Sequence, residues 1–307
     1  MGWTPAELPD LSGKTYVITG GNSGLGLEAA KLLTGKGARV VITARSADKA
    51  NGALGEVRAA VPNADVDFVE LDLADQKSVD AAAFALRQKC PRIDALINNA
   101  GVMQTPEKRT AEGFELQLAT NHLGHFRLNA QLLDVLEASG GRVVPVSSIA
   151  HKFGKIALDD LQSTRGYDPT TAYSQSKLAN LMYAFELQKR LAARGSKVTA
   201  IAAHPGYSAT NLQTAGVGME GGSALLKWMY KVTNAVMAQP AERGAWPLVL
   251  AAAAPSAKPG AYYGPTGLGQ MRGAVGESFV ADGARDEKVA SQLWEKTEAL
   301  VGSFFRA

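Results

Sequence analysis

Short apolar segments alternate with longer helical patterns through the first two thirds of this 307-residue chain. Each apolar segment is brief and nearly continuous, as strands buried on both faces of a parallel sheet should be. The predicted strands are residues 15–19, 39–43, 66–70, 95–98, 142–146 and 197–203. The predicted helices are residues 24–34, 48–60, 76–89, 111–138 and 171–193. This repetition predicts an α/β protein with a doubly wound parallel sheet, the Rossmann fold.

The chain contains no linker rich in proline, serine or glycine, so we expect one domain over residues 1–307. One stretch, residues 207–239, interrupts the alternation of strands and helices. It begins with several glycines and continues with a strongly apolar run that includes Leu225, Trp228 and Met237. An additional core helix is one interpretation. A mobile lid over a substrate pocket is preferred, because long insertions in compact domains are usually functional. A membrane-surface helix would need more than the two lysines present.

Composition and charge argue against several classes of partner. The formal net charge of +3, from 32 basic and 29 acidic residues, is too small to favour nucleic acid or an anionic membrane. No apolar run approaches the ~18 residues that span a bilayer, and the first 14 residues show no signal peptide. The single cysteine, Cys90, can form no internal disulfide and fits a structural role in a reducing compartment. We therefore expect a cytoplasmic protein.

A glycine-rich turn directly follows the first predicted strand. Its sequence is Gly20-Gly21-Asn22-Ser23-Gly24-Leu25-Gly26. Gly20 permits a tight turn, Gly24 lets the backbone approach a diphosphate, and Gly26 lets the following helix pack closely. The start of that helix adds free N–H groups and the positive end of a dipole. With a strand before it and a helix after it, this segment predicts a dinucleotide-binding site rather than a plain tight turn.

The end of the second predicted strand indicates which dinucleotide is bound. Sites that prefer NAD usually carry a carboxylate there for the ribose hydroxyls, whereas a 2′-phosphate needs a cation. The chain reads Ile42-Thr43-Ala44-Arg45-Ser46, with an arginine and no acid. Arg45 can pair with a phosphate through two hydrogen bonds. We therefore predict NADP, with NAD left open in case Arg45 is only a solvated surface residue.

A tyrosine and a lysine stand four residues apart in the last predicted helix. Tyr173 and Lys177 therefore neighbour each other on one helix face. A free phenol has a pKa of about 10, and a nearby ammonium is expected to lower it toward working pH. Because this spacing also occurs by chance, it gains weight from Ser147 and Ser148, which end the fifth predicted strand at the edge where such sheets bind ligands.

Taken together, these motifs resemble the short-chain dehydrogenases/reductases, in the branch of retinol dehydrogenase-like and WW-domain oxidoreductase-like enzymes. The likeness covers roughly residues 12 to 265. Asp72-Leu73 matches the pair that contacts adenine, and Asn98-Asn99-Ala100-Gly101 matches the segment beside the adenosine ribose. The cofactor contacts that the resemblance and the turn imply are Gly20, Asn22, Ser23, Gly24, Leu25, Gly26, Arg45, Asp72, Leu73, Asn99, Ala100, Gly101, Tyr173, Lys177, Pro205, Gly206 and Thr210.

The same resemblance implies the catalytic residues Asn121, Ser148, Tyr173 and Lys177. Ser148 is preferred over Ser147 because its separation from Tyr173 suits this branch. In the implied mechanism, Ser148 and Tyr173 hydrogen-bond the substrate oxygen, and Tyr173 gives or takes the proton. Lys177 holds the ribose hydroxyls and lowers the tyrosine pKa, while Asn121 holds a water of the proton relay behind Lys177.

We therefore expect an NADP-dependent enzyme that interconverts a hydrophobic aldehyde or ketone and its alcohol. An NAD-preferring alcohol dehydrogenase and a catalytically silent dinucleotide sensor are the alternatives. Homo-oligomers are common in this family through the helices predicted at residues 111–138 and 171–193, so the oligomeric state stays open. Membrane-bound relatives carry an N-terminal anchor that is absent here, so we do not transfer their membrane attachment.

Three histidines and one proline qualify this interpretation. His151 could line the substrate pocket or be a loop histidine satisfied by backbone groups, whereas His122 and His125 are interpreted as structural. No group of histidine, cysteine and acidic residues has the spacing of a metal site. Pro145 lies inside the fifth predicted strand, where proline removes a ladder donor. We expect one missing hydrogen bond there and an otherwise intact strand, on which the position of Ser148 depends.

Overall fold

The computed structural model describes residues 2–207 and 239–305. The strands in these ranges are β1 (Thr15–Ile18), β2 (Arg39–Ala44), β3 (Val66–Glu70), β4 (Ala95–Asn98), β5 (Arg142–Pro145), β6 (Thr199–Ala200), β7 (Ala202–Ala203), β8 (Tyr262–Pro265) and β9 (Val275–Glu277). Strands β1 to β6 pair in parallel in the order β3-β2-β1-β4-β5-β6. The strand order reverses between β1 and β4. This confirms the predicted doubly wound sheet and puts a ligand crevice at the carboxyl ends of those two strands.

Helices cover both faces of this sheet. They are α1 (Gly24–Thr34), α2 (Ala47–Ala60), α3 (Gln76–Lys89), α4 (Leu116–Leu118), α5 (Gly124–Gln131), α6 (Leu133–Glu137), α7 (Pro169–Ala193), α8 (Ala241–Ala253) and α9 (Glu287–Val301). Successive side chains of β1 enter different cores, since Val17 packs in the core that contains α3, α5 and α7. Tyr16 and Ile18 pack in the core that contains α1 and α8. An apolar core on each face explains why the strands are almost continuously apolar.

The prediction of one helix over residues 111–138 is wrong in two respects: the helix begins later, and it is interrupted. A turn at Gly113 (φ +85°) comes first. The buried carboxylate of Glu115 then accepts the first N–H groups of α4 and fixes where the helix begins. α4 continues through a π-helical turn, Ala119–Leu123, into α5. A break at Leu132 (φ −104°, ψ 6°) separates α5 from α6. Turn and cap chemistry therefore outweigh the helical periodicity of the sequence.

The strand predicted over residues 197–203 is divided into β6 and β7. The register with β5 continues across the division, because Val146 still bridges to Ala203. In that register an N–H at position 145 would face the carbonyl of Ile201, the residue between β6 and β7. Pro145 has no N–H to offer. The predicted loss of one ladder hydrogen bond is confirmed, and its consequence is the short gap in the neighbouring strand.

The last third of the chain adds elements that the sequence patterns did not indicate. β8 pairs in parallel with β7 and antiparallel with β9, while α8 packs on α1 and α9 packs on α7 and α5. Where α9 meets α5 and α7, the rings of Phe126, Tyr183, Trp294 and Phe304 form one cluster, with 4.8 Å between the centroids of Phe126 and Trp294. Thus α9 covers part of the helix pair through which homo-oligomers were expected to form.

The described residues hold neither a membrane-spanning helix nor a metal cluster. Over residues 2–207 and 239–305, no helix combines the length and the apolar character needed to cross a bilayer. Over the same residues, no three His, Cys, Asp or Glu side chains are placed to share a metal ion. Cys90 follows α3 and is buried, which raises the pKa of its thiol and agrees with the expected structural role.

Candidate active site

Backbone conformation shapes the glycine turn between β1 and α1. Gly20 and Gly24 have φ values of +63° and +54°, in a region that residues with a side chain rarely adopt. A Cβ on Gly26 would lie 2.6 Å from the Asn99 amide and 2.8 Å from the Gly20 carbonyl, so α1 can approach this closely only with glycine there. Among the described residues, no side chain caps the first turn of α1. Its N–H groups are therefore left for an anion.

Side chains at the end of β4 hold this turn in place. The Nδ2 of Asn99 donates to the carbonyls of Thr19 (2.8 Å) and Gly20 (3.3 Å). The N–H of Ala100 donates to the Thr19 hydroxyl at 3.0 Å. The segment that the resemblance assigns to the ribose therefore also fixes the diphosphate turn against the sheet.

A cleft of about 620 Å³ lies along the carboxyl ends of the strands. Most of the predicted cofactor contacts line it: Gly20, Asn22, Ser23, Gly24, Leu25, Arg45, Asp72, Leu73, Asn99, Ala100 and Gly101. Gly26 lies behind the turn, against Asn99. A cleft of this size, with a glycine turn and an uncapped helix start at its wall, fits a dinucleotide.

Two cations line one end of the cleft, which we call the adenosine end (Arg45, Lys49 and Asp72). Arg45 and Lys49 are both exposed, and Lys49 lies in the first turn of α2, which begins two residues after Arg45. Residue Ala44 ends β2, so no carboxylate stands at the strand terminus. Lys49 was not among the predicted contacts, although its spacing of four residues from Arg45 could have revealed it. Two cations at this place can pair with a phosphate.

The helix α7 brings together the predicted acid–base pair. Asp168 caps this helix by accepting the N–H of Thr171 at 2.7 Å, and Pro169 occupies its first position. One turn further on, Tyr173 and Lys177 lie on the buried face, with exposed fractions of 8% and 3%. The Lys177 Nζ is 5.8 Å from the centroid of the Tyr173 ring. The two side chains are therefore neighbours, as their spacing predicted.

Ser148 completes the group that we call the reacting end (Ser148, Tyr173 and Lys177). These residues do not line the cleft itself, but the Lys177 Nζ lies 3.7 Å from where a Cβ on the lining residue Gly101 would be. The Ser148 hydroxyl accepts the N–H of Ala150 at 3.2 Å, and Ser148 is near enough to the Tyr173 phenol to lower the pKa of that group. Ser147 is buried and donates instead to the backbone carbonyl of Lys177 at 2.7 Å. The geometry thus brings Ser148, and not Ser147, to the phenol.

The expected lowering of the tyrosine pKa is wrong in this arrangement. Burial raises the pKa of Tyr173 to about 12, and the hydrogen bond with Ser148 offsets only part of that rise. Burial also lowers the pKa of Lys177 to about 8, because a buried ammonium loses its hydration. At neutral pH the phenol is therefore protonated and the lysine still charged.

Asn121 lies in the π-helical turn and is fully buried. Its Oδ1 accepts the N–H of Val102 at 2.8 Å, and its Nδ2 donates to the Val102 carbonyl and the Ser176 hydroxyl, both at 2.9 Å. A Cβ on Gly101 would lie 2.9 Å from the Asn121 Oδ1 and 3.7 Å from the Lys177 Nζ. Asn121 therefore ties the segment after β4 to α7 beside the lysine, and its role in a water relay stays a prediction.

His125 connects Asn121 to the glycine turn. Its Nδ1 is 3.0 Å from the Asn121 carbonyl, and its Nε2 is 2.8 Å from the Thr19 hydroxyl. Because a carbonyl can only accept, Nδ1 carries the proton and the Thr19 hydroxyl donates to Nε2. Burial lowers the pKa of His125 to about 3, so the ring is neutral. These contacts agree with a structural role.

His151 is satisfied by backbone groups, the second of the two interpretations of this residue. Its Nδ1 donates to the Ser148 carbonyl at 2.7 Å, and its Nε2 accepts the N–H of Ala281 at 3.4 Å. The ring is buried, and burial lowers its pKa. His151 therefore supports the turn that carries Ser148.

A further histidine supports the segment with the predicted nicotinamide contacts Pro205 and Gly206. Gly206 has φ +70°, and its N–H donates to the Nδ1 of His204 at 3.2 Å. The Nε2 of His204 lies 3.0 Å from the Ser278 hydroxyl. A Cβ on Gly264 of β8 would overlap the imidazole, so this ring position requires glycine in the strand. His204 was not singled out in the sequence, because its partners come from distant segments.

Two predictions fall outside the described residues. Thr210, the third predicted nicotinamide-side contact, is one of them. The lid proposed for residues 207–239 is the other, apart from its first and last residues. The N–H of Gln239 donates to the Tyr207 carbonyl at 2.9 Å, so residues 207 and 239 lie side by side.

Comparisons with known proteins agree with this geometry. The family model described as short chain dehydrogenase matches residues 14–218. Human retinol dehydrogenase 12 is 39% identical over 302 residues, covering 97% of this chain and 89% of that protein. Short-chain dehydrogenase/reductase drtF from Aspergillus calidoustus is 38% identical over 315 residues, covering 96% of this chain and 95% of that protein. The crystal structure of an uncharacterized protein from Mycobacterium paratuberculosis is 39% identical, covers all of both chains and superposes with a TM-score of 0.81.

Proposed function

Because this chain belongs to the short-chain dehydrogenase family, we propose that it is an NADPH-dependent reductase that converts hydrophobic aldehydes or ketones into alcohols. Family membership itself makes the chain an NAD(P)-dependent oxidoreductase acting on the CH–OH/C=O pair. To that class we add a cofactor preference, a substrate character and an acid–base residue, supported by the residues of the cleft and of the reacting end.

The main support is the grouping of the Tyr173 phenol with Ser148, which acts on its pKa, and with the Lys177 ammonium 5.8 Å from the ring centroid. Two hydroxyl groups that meet at the carboxyl end of a central strand can bind one carbonyl oxygen together. Burial keeps the pKa of Tyr173 near 12, so at neutral pH the phenol has a proton to give. This protonation state favours reduction of a carbonyl over oxidation of an alcohol.

The residues of the cleft and of the reacting end have different roles in binding and in proton transfer. The glycine turn and the first N–H groups of α1 would hold the diphosphate, and Lys177 would hold the ribose hydroxyls. When bound, the nicotinamide supplies the hydride that forms the new C–H bond. Ser148 and Tyr173 orient the substrate oxygen, and Tyr173 transfers its proton to that oxygen. The Lys177 ammonium then stabilises the tyrosinate that is left.

The preference for NADPH is supported by Arg45 and Lys49 at the adenosine end, where both cations line the cleft. A 2′-phosphate there would receive charge-assisted hydrogen bonds from Arg45. Asp72 also lines this end, but its Oδ1 accepts the N–H of Ala74 at 2.9 Å and so stabilises the turn in which Asp72 lies. A ribose with a free 2′-hydroxyl would leave both cations without a partner.

A hydrophobic substrate is supported by the wall of the cleft beyond Gly101. The side chains of Val102, Met103 and Leu116 line this part, and they offer apolar surface rather than charge. Proteins named retinol dehydrogenase are among the relatives, which is consistent with an apolar alcohol or aldehyde. Apolar surface buried on binding would then supply most of the substrate affinity.

A cofactor-oxidation screen tests this function. The full chain is mixed with NADPH or NADH and a series of straight-chain aldehydes and ketones of increasing length, and absorbance of the reduced nicotinamide is followed. We expect turnover with NADPH, with kcat/KM rising about fourfold for each added CH₂ until the pocket is filled. Faster turnover with NADH throughout would contradict the cofactor preference. No oxidation of either cofactor would contradict the enzymatic assignment and favour a dinucleotide sensor.

A further inference from the structure

The backbone carbonyl of Val146 receives two donors at the reacting end. The Lys177 ammonium donates to it at 3.1 Å, and the Nδ2 of Asn180 donates to it at 3.2 Å. All three residues are buried, with exposed fractions of 3% to 4%. A carbonyl oxygen has two lone pairs, so these donors fill it. Asn180 therefore determines which side of the carbonyl is left for the ammonium.

A row of buried polar groups leads from Asn180 to the C-terminal helix α9. The Oδ1 of Asn180 lies 3.4 Å from the Nδ1 of His122, which belongs to the π-helical turn. The Nε2 of His122 lies 3.1 Å from the hydroxyl of Thr297 on α9. His122 and Thr297 are both buried. None of these three side chains belongs to the cofactor or substrate contacts described above.

Only one direction of hydrogen bonding satisfies the whole row. The Val146 carbonyl can only accept, so Asn180 turns its Nδ2 to that carbonyl and its Oδ1 to His122. His122 then donates from Nδ1 and accepts the Thr297 hydroxyl at Nε2. Burial lowers the pKa of His122 to about 4, so the ring keeps a single proton near neutral pH. Each group in the row thus has a defined role as donor or acceptor.

We infer that Asn180 is a positioning residue for Lys177 and that His122 and Thr297 hold Asn180 in place. This inference rests on the proposed function, in which Lys177 acts on Tyr173 and on the cofactor ribose. By filling one lone pair of the Val146 carbonyl, Asn180 restricts the ammonium to the other. The remaining N–H groups of Lys177 are thereby kept for the side of Tyr173 and Gly101. The helix α9, which does not line the cleft, supports the reacting end through this row.

Thermal unfolding tests, without any substrate, whether Asn180 and Lys177 lie side by side on the Val146 carbonyl. The proteins are wild type, Asn180→Asp, Lys177→Met and the double variant, compared at pH 7.5. His122 and His125 from the π-helical turn and α5, and Tyr173 from α7, face this pair; all are neutral in the wild type at that pH. With Lys177 present, the new carboxylate gains a cationic neighbour. Asn180→Asp should therefore lower Tm less in the wild-type background than in the Lys177→Met background. We expect the two losses to differ by about 3–6 °C. Equal losses in both backgrounds would overturn the inference.

Kinetics test whether this placement of Lys177 by Asn180 serves catalysis. Asn180→Leu keeps the branched shape of the side chain but removes the amide, so the Lys177 ammonium is no longer restricted to one lone pair of the Val146 carbonyl. We expect kcat to fall about 10- to 100-fold, because small misplacements of reacting groups are costly, while the dissociation constant of NADPH changes less than about threefold. Asn129→Leu is the matched control, because this buried asparagine donates instead to the Tyr183 hydroxyl at 2.8 Å; its kcat should stay within about threefold of wild type.

If Asn180 served only folding, Asn180→Leu would lower Tm but leave kcat unchanged. That result would overturn the positioning role. If the wild type itself oxidised no NADPH, the proposed function would fail. The unfolding comparison would still report on the proximity of Asn180 and Lys177 at the Val146 carbonyl, so the two failures are distinguishable.

Discussion

The adenosine end and the reacting end are built in different ways. At the adenosine end, Arg45 and Lys49 are exposed to solvent. The reacting end uses side chains packed in the protein interior, with Tyr173 only 8% and Lys177 only 3% exposed. Solvent screens charges at the first end, whereas burial strengthens electrostatic effects at the second. Substitutions at the adenosine end should therefore change cofactor choice, and substitutions at the reacting end should change the chemistry itself.

The largest expected effect separates the two ends through one lysine on α7. Lys177→Met should lower kcat about 10³-fold, because the tyrosinate formed on proton transfer loses its buried cation. Lys189→Met is the matched control. Lys189 lies on the same helix but is exposed and paired with Glu287, so its loss should leave kcat unchanged. Steady-state kinetics with NADPH give the comparison. If Lys177→Met kept a tenth of the wild-type kcat, the reacting end would not depend on its buried charge.

The next effect concerns the pH dependence of stability. The pKa of Lys177 is about 8 in the folded protein, against 10.5 for an ordinary lysine. Below pH 8 the folded state carries the full cost of the buried charge, and this cost disappears as pH rises to 10.5. Lys177→Met avoids this cost, so below pH 8 it gains unfolding free energy relative to wild type. One pKa unit corresponds to about 1.4 kcal/mol. The advantage of Lys177→Met in unfolding free energy should therefore shrink by about 3 kcal/mol between pH 7 and pH 10.5. Chemical denaturation of both proteins across this range measures the change, and a constant difference would contradict it.

At the adenosine end, Arg45→Ala should change cofactor choice without changing the chemistry. We expect the ratio of kcat/KM for NADPH to that for NADH to fall about 10- to 100-fold, since one charge-assisted pair with the 2′-phosphate is lost. Because Arg45 is exposed, added salt should shrink the difference. Arg92→Ala, which removes an arginine that pairs with Asp94 away from the cleft, is the control. An unchanged ratio in Arg45→Ala would remove the basis for the NADPH preference.

The smallest effect is expected at Lys49. An exposed ammonium on a flexible side chain gains little from a single partner, so Lys49→Ala should lower the same ratio only about threefold. Measuring Arg45→Ala, Lys49→Ala and the double variant shows whether the two cations act on one phosphate. A larger loss in Lys49→Ala than in Arg45→Ala would reverse the assignment of the main phosphate partner.

Local patterns were sufficient to predict the glycine turn and Arg45, whereas Lys49 was missed. The glycine turn, the strand before it and the helix after it are contiguous in sequence, and the φ values of Gly20 and Gly24 follow from the turn itself. The family and the doubly wound sheet were predicted correctly for the same reason. The helix predicted at residues 111–138 failed where the buried carboxylate of Glu115 decides its start.

The reacting end could be predicted only in part. The spacing of Tyr173 and Lys177 correctly indicated that they are neighbours. The direction of the Tyr173 pKa was predicted wrongly, because burial is a property of the assembled fold and not of the spacing. The row from Asn180 through His122 to Thr297 joins three distant segments, so no local pattern contains it. Supporting contacts of this kind become visible only when the fold is known.

The central claim is that Tyr173 donates the proton, and a single-turnover measurement with Tyr173→Phe tests it most directly. Enzyme saturated with NADPH is mixed with a substrate from the screen, and nicotinamide oxidation is followed by stopped flow. Tyr183→Phe is the control, since this buried phenol of α7 is hydrogen-bonded to Asn129 at 2.8 Å instead. We predict that Tyr173→Phe lowers the rate about 10³-fold or more with NADPH affinity unchanged, while Tyr183→Phe keeps the wild-type rate. A rate for Tyr173→Phe within tenfold of wild type would contradict the account.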